Sequence, residues 1–279
     1  MFPIRPKHDT FQHSQVHRLG GLNMATIAEP IPRARRDRFF LILSLAMIAV
    51  IVGGFSLNLV MGRSSFALPL IYHLHALVFM GWIAIFLAQN LLVATGHVGL
   101  HRKLGWISVV WVPLMVVMGM AITVYSVRHH GGPPFFDLPE FLFGNPAGLF
   151  CFAGLVFAAV SKRGQSDWHR RLMLCSMAVI TGPGFGRILP VPFMIPWSWP
   201  VAALLAPSLF PVIGMIVDRR RTGLVHPAWI WGLAAMIGSF LLAEAIAFSP
   251  MGEGITRIMV AGSPGAERPF AAHWPPIQP

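Results

Sequence analysis

Charge is what this 279-residue chain has least of: Asp, Glu, Lys and Arg together make up 11% of it, against 55% hydrophobic residues. Water-soluble domains carry roughly 25% charged residues. The deficit makes lipid the expected solvent for most of the chain, in keeping with a mean hydropathy of +0.66. Acidic residues are scarcer still, 10 against 21 basic ones, for a formal net charge of +11. In a soluble protein that excess would suggest nucleic acid. Here the basic residues fall in short blocks between apolar runs, the pattern that orients a membrane protein, so no nucleic-acid partner is expected. Cysteine occurs only at Cys151 and Cys175. Both lie in apolar stretches that the topology puts near opposite membrane faces, which excludes a disulfide between them on geometric grounds. An H-E-x-x-H zinc motif is missing, as is a signal-peptide pattern before the first apolar run. No internal repeat is recognisable.

What the chain does have is a series of apolar runs near the twenty or so residues that a helix needs to cross a bilayer. They fall at 39–61, 67–94, 106–127, 145–160, 172–189, 197–217 and 227–248. A lone span in lipid must satisfy its own backbone hydrogen bonds and is therefore helical. The expected fold is an all-α polytopic membrane bundle of about seven helices. It is flanked by a disordered basic arm at 1–38 and a Gly/Pro-rich tail at 249–279. Alternation of basic residues tests the count. If the N-terminal arm is cytoplasmic, Arg102 and Lys103, then Lys162, Arg163, Arg170 and Arg171, then Arg219, Arg220 and Arg221 all fall on the same side as the arm. Only Arg63, Arg128, Arg187, Arg257 and Arg268 of the 21 basic residues fall on the other. The pattern places the N-terminus in the cytoplasm and the C-terminus outside, in a cell inner (plasma) membrane.

Polar residues inside such a bundle are expensive and mark candidate sites. The second run holds His73 and His75, which point to different sides of a helix. His75, Trp82 and Gln89 recur every seven residues as one stripe, so His75 is the one expected to face the interior. On the same outer side come His129 and His130 just past the third helix, Arg187 at the end of the fifth, and Glu244 near the outer end of the seventh. Glu244 is expected to be the only carboxylate within a span, either paired structurally with Arg187 or a histidine, or serving binding or proton transfer. Gln89 and the neighbouring Asn90 are polar at membrane depth. On the inner side lie His97, His101 and His169 among arginines and lysines. His97 and His101 have i, i+4 spacing, but zinc would need a third protein ligand.

Imidazoles near both faces of a helical bundle are what two b-type haems need as axial ligands, with arginines such as Arg187 available to propionates. On this reading His75 pairs with His129 or His130 outside, His101 pairs with His169 inside, and Gly81, Gly105, Gly119 and Gly182 let the flat macrocycle approach a helix. The competing use of those glycines is helix packing. Apart from haem iron no metal is expected, and the sequence designates no catalytic residue.

Two stretches, HALVFMGWIAIFLAQNLLVATGHVGLHRKLGW and DWHRRLML, carry a resemblance. The positions are His75, Trp82, Gln89, Leu100, His101, Arg102, Gly105, Asp167, His169, Arg170, Arg171 and Met173. As a set they resemble the two signatures of a large group of bacterial polytopic membrane proteins, a domain of unknown function. More loosely, the chain is similar to the transmembrane di-haem cytochrome b superfamily of ascorbate-dependent reductases. It differs in the spacing between histidines and in having its inner histidines at turns. The resemblance implies haem b and transmembrane electron transfer. Two other classes stay open. One is a small proton-coupled transporter using Gln89, Asn90, Arg187, Glu244 and the Gly182-Pro183-Gly184 break; the other is a non-catalytic assembly or accessory protein. Beyond the lipid bilayer, the partner is left between a redox protein and a second copy of the chain.

Overall fold

A computed structural model of the chain describes residues 38–274. The arm expected before Arg38 lies outside the described residues, as do the last five residues of the tail. Among the described residues there is no strand. The helices are α1 (Arg38–Val60), α2 (Leu70–Thr95), α3 (Val98–Gly105), α4 (Ser108–His130), α5 (Leu138–Ser161), α6 (Ser166–Val179) and α7 (Gly182–Ile188). After a 3-10 turn at Val191–Met194 come α8 (Ser198–Pro200), a π-helical turn at Val201–Leu205 and α9 (Ala206–Thr222), which run on as one rod. Then follow α10 (Pro227–Ala247) and α11 (Pro250–Val260).

Among the described residues, six helices are long and apolar enough to cross a membrane: α1, α2, α4, α5, the composite Ser198–Thr222 and α10. The fifth expected run instead divides into pieces of 14 and 7 residues, neither long enough alone. The break follows from local chemistry, since Pro183 lacks an N–H and cannot continue the hydrogen-bond ladder of α6. The Thr181 hydroxyl caps the gap by donating to the Ala178 carbonyl at 2.6 Å.

Helix starts also correct the expected boundaries. The fourth run begins at Leu138 rather than residue 145. Asp137 stands at the N-cap position, Pro139 in the first turn and Glu140 just behind it. A fixed proline φ and acidic residues both suit the positive end of a helix. Glu140 is thereby drawn into a span, and Asp218 lies within α9, so Glu244 is not the only intramembrane carboxylate. His129 and His130 form the last turn of α4 rather than following it. Cys151 and Cys175, both free thiols, sit at near-equal distances from the turn that joins the packed helices α5 and α6, so they share a depth instead of occupying opposite faces.

Side chains tie the helix ends into two layers. At the basic end, Arg170 stacks 4.1 Å over the Phe40 ring, joining the start of α6 to the start of α1. At the opposite end, Tyr72 of α2 meets Tyr125 of α4 edge-on at 5.8 Å. Between them α5 packs on α4, α6 and α10. Phe152 is fully buried there, with its ring 5.3 Å from Trp82. Small residues make room for large ones: Gly81 lies under Trp111, Gly214 under Trp229 and Gly232 under Cys175. Such contacts supply the dispersion that must replace the hydrophobic effect between helices in lipid. The backbones of α1 and α7 also come into contact. A methyl group placed on Gly54 would lie 2.5 Å from the Gly184 carbonyl oxygen, and one on Gly184 would lie 2.7 Å from that of Val50.

Beyond α10 the chain folds back on itself. Ser249 caps α11 by accepting from the Gly252 N–H at 3.0 Å. The Arg268 guanidinium then donates to the carbonyls of Gly131, Pro134 and Phe136. Leu138 N–H donates to Phe270 O at 2.7 Å and His273 N–H to Pro134 O at 2.8 Å. The loop between α4 and α5 is thus held by carbonyl contacts. It turns on Gly131, whose φ of +66° is strained for any residue with a side chain.

Candidate functional site

At the basic end α6 presents Arg171 inward, where α9 supplies Asp218. The pair is bidentate, Nε and Nη2 each 2.8 Å from a carboxylate oxygen, and both side chains are 8% exposed. Trp229 of α10 donates its indole N–H to the same carboxylate at 2.9 Å. Every partner of Asp218 is a donor, so this cluster is a satisfied clamp of three helices. A polar cavity of about 360 Å³ beside it is lined by Asp167, Arg170, Thr222 and His226. His226 caps α10 by accepting from the Ala228 N–H at 3.1 Å. Burial, followed by the nearby Arg171 charge, lowers its pKa and so favours the neutral ring that can accept.

Next to the clamp, His101 on α3 and His169 on α6 face each other, with ring centres 6.1 Å apart and planes at 81°. His169 Nδ1 is fixed on the Ala159 carbonyl at 2.8 Å, which leaves Nε2 as the nitrogen able to bind a ligand. Burial, and then the neighbouring His169, lower the pKa of His101 below the ordinary imidazole range. Its Nδ1 is buried without a partner. Gln89 packs beside Gly105, with its Oε1 also buried and unpartnered. Asn90, by contrast, is consumed in structure: it accepts from the Ser44 hydroxyl at 3.0 Å and donates to the Phe86 carbonyl at 2.8 Å, joining α1 to α2. His97 stands at the N-cap of α3, bonded to Thr95 Oγ1 at 2.9 Å.

The opposite end holds the unsatisfied groups. Glu140 of α5, 6% exposed, meets Glu244 of α10 within hydrogen-bonding reach. Glu244 Oε1 and the indole nitrogen of adjacent Trp199 are both out of water and lie near each other without a well-formed hydrogen bond. Trp199 is held by Gly144 beneath it and by the Phe136 ring 5.1 Å away. Phe136 in turn touches the turn of α7 at Gly186. One residue on, Arg187 stacks its guanidinium 3.9 Å over Phe55 and donates through Nη1 to the Pro183 carbonyl at 2.8 Å. Its Nε is buried and unpartnered. Among the described residues no carboxylate reaches ion-pair distance of Arg187, so the expected structural pairing with Glu244 is replaced by Glu244 with Glu140. His75 rests on Phe79, its Nδ1 buried without a well-formed hydrogen bond, with Arg187 near enough to act on it electrostatically. His73 is exposed and bonds the Leu68 carbonyl.

The expected outer pair of histidines is not assembled. His129 stacks on Tyr125 at 3.8 Å and His130 lies by Tyr72, both exposed; the ring beside His75 is that of Phe79. Three of the four glycines reserved for a macrocycle are filled from within the chain, Gly81 by Trp111, Gly119 by Leu149 and Gly182 by the Ala202 backbone. Only Gly105 stays open, a Cβ there meeting nothing nearer than Gln89 Nε2 at 3.6 Å. Among the described residues no three His, Cys, Asp or Glu side chains converge as a metal site. Sequence reasoning missed Glu140 and Asp218. The first was readable from the Asp-Leu-Pro-Glu start of α5. The second, one residue beyond an expected helix end and followed by three arginines, gave no signal of its partner Arg171. Compared with known protein families, curated proteins and solved structures, the chain matches none.

Proposed function

We propose that this protein is a proton-coupled carrier of the bacterial inner membrane, with Glu140 and Glu244 as its proton site. One observation carries the reading: two carboxyl groups at membrane depth lie within reach of each other, with the Trp199 indole out of water beside them. Two carboxylates in contact within a low-dielectric bundle cannot both stay charged cheaply, so the pair suits uptake and release of one proton. The interrupted α6–α7 segment and the π-helical turn at Val201–Leu205 meet where Gly182 touches Ala202. Broken helices at that depth are a feature of transporter sites, and π-turns often accompany function. In this reading α6 and α7 together make the fifth of seven crossings, with the N-terminus cytoplasmic and the C-terminus outside, as the distribution of basic residues favours.

The expected result is solute-driven proton movement in proteoliposomes loaded with a pH-sensitive dye, screened against organic acids, amino acids and sugars. Glu244→Gln should bring it to the level of empty vesicles. The infrared band of a protonated carboxyl at neutral pH should vanish in both Glu140→Gln and Glu244→Gln. A Glu244→Gln protein that moves protons as the parent does would sink the reading.

A second reading rests on His101 and His169. Two imidazoles held on opposite sides of one metal, at roughly 2 Å from nitrogen to metal, have ring centres roughly 6 Å apart. The 6.1 Å pair has that spacing, with Gly105 open beside it. These residues fit a single b-type haem at the basic end; the opposite end does not offer the second. Bound there, haem would supply one-electron chemistry. The reading predicts a b-type absorbance spectrum from protein made in haem-sufficient cells, lost in His101→Ala. A colourless preparation retires it.

A further inference from the structure

We infer that Arg187 and His75 form an intramembrane binding site for a small oxyanion, a carboxylate or a phosphate. Gly54 and Gly184 let the backbones of α1 and α7 touch, which fixes the turn carrying Arg187 against Phe55 on the next residue of α1. Stacking on that ring sets the plane of the guanidinium. Its Nη1 is spent on the Pro183 carbonyl, on its own helix. The edge that remains begins with Nε, which is out of water and bonded to nothing. That edge is the fork by which arginine takes carboxylates and phosphates with two parallel hydrogen bonds. A guanidinium cannot discard its proton to escape burial, so the cation calls for a counter-charge, and among the described residues no carboxylate supplies one.

His75 adds a second polar group in the neighbourhood of that charge. Its Nδ1 is buried without a well-formed hydrogen bond, the ring lies by the Met118 backbone, and Arg187 is near enough to act on it electrostatically. Phe55 and Phe79 flank the two groups, giving apolar walls around a polar focus, the usual make-up of a small-molecule site. An oxyanion bound there would accept from the Arg187 edge on one side and from the His75 ring on the other. As the substrate of the carrier this inference rests on the transport reading. As a binding site it stands apart from it.

The experiment measures binding to the full-length protein in nanodiscs of pure phosphatidylcholine, with propionate and inorganic phosphate as probes. Nanodiscs containing phosphatidylglycerol form the second arm. Binding of a free probe in phosphatidylcholine, weakened roughly ten- to hundredfold by Arg187→Gln and less by Arg187→Lys, supports a soluble anion as ligand. Free probes that bind only when phosphatidylglycerol is left out, with the same Arg187 dependence, support a lipid headgroup as the resident oxyanion. His75→Gln should weaken whichever ligand binds without changing the melting temperature. If the binding of neither probe nor lipid changes in an Arg187→Gln protein, the site is overturned. Proton flux that survives such a result leaves the carrier standing. Binding without flux does the reverse.

Discussion

Asp218→Ala is expected to destabilise the protein by about 3–5 kcal/mol, the cost typical of breaking a buried ion pair from one side. The substitution strands the Arg171 guanidinium at 8% exposure and removes the acceptor of the Trp229 indole. Three helices, α6, α9 and α10, lose their common anchor at once. Asp167 offers only a longer contact to Arg171, at 3.3 Å, and is itself 58% exposed, so it cannot take over. A thermal melt in detergent reads the effect. The double variant Arg171→Met with Asp218→Leu should recover most of it, because a packed apolar pair avoids leaving a charge unpaired. A single variant that melts with the parent would show that the clamp does not hold these helices together.

Gly54→Ala should be the second largest loss, about 1–3 kcal/mol as for an overpacked core. The added methyl meets the backbone of Gly184 at 2.5–3.1 Å, and a backbone cannot swing aside as a side-chain tip can. Gly53→Ala is the matched control one residue away. It has open space around it, and alanine is the better helix former by about 1 kcal/mol, so this variant should melt at or above the parent temperature. Equal behaviour of the two variants would contradict the contact between α1 and α7. Gly54→Ala should also loosen the stacking of Arg187 on Phe55, since the same contact sets that distance.

Hydropathy made the lipid-facing half of this fold readable in advance. Rows such as Leu77, Val110, Phe157 and Leu242 point outward and are exposed, and their only requirement is apolarity, which a sequence displays openly. The stripe His75, Trp82 and Gln89 was also legible, because helical periodicity decides which of His73 and His75 turns inward. What stayed hidden depends on pairs far apart in the chain. Arg171 and Asp218 are separated by 47 residues, and nothing local in either marks the other. Glu140 was obscured by reading three prolines as a loop, when Pro139 in fact opens a helix. The surroundings of His129 and His130 were hidden for a related reason: imidazoles at a shared depth need not share an interior, and these two are exposed against tyrosines.

The grip of Arg268 on the turn between α4 and α5 has a bearing on the order of assembly. Its carbonyl contact at Gly131 closes a separation of 137 residues, a loop whose entropy must be met before the contact returns anything. During synthesis α4 and α5 therefore exist with their connecting turn unlatched. Closure comes only after α10 has delivered Glu244 and the chain past α11 has crossed back over the surface. The acidic pair and the Arg268 latch on the α4–α5 turn are thus both among the late contacts, each waiting on segments made after α9.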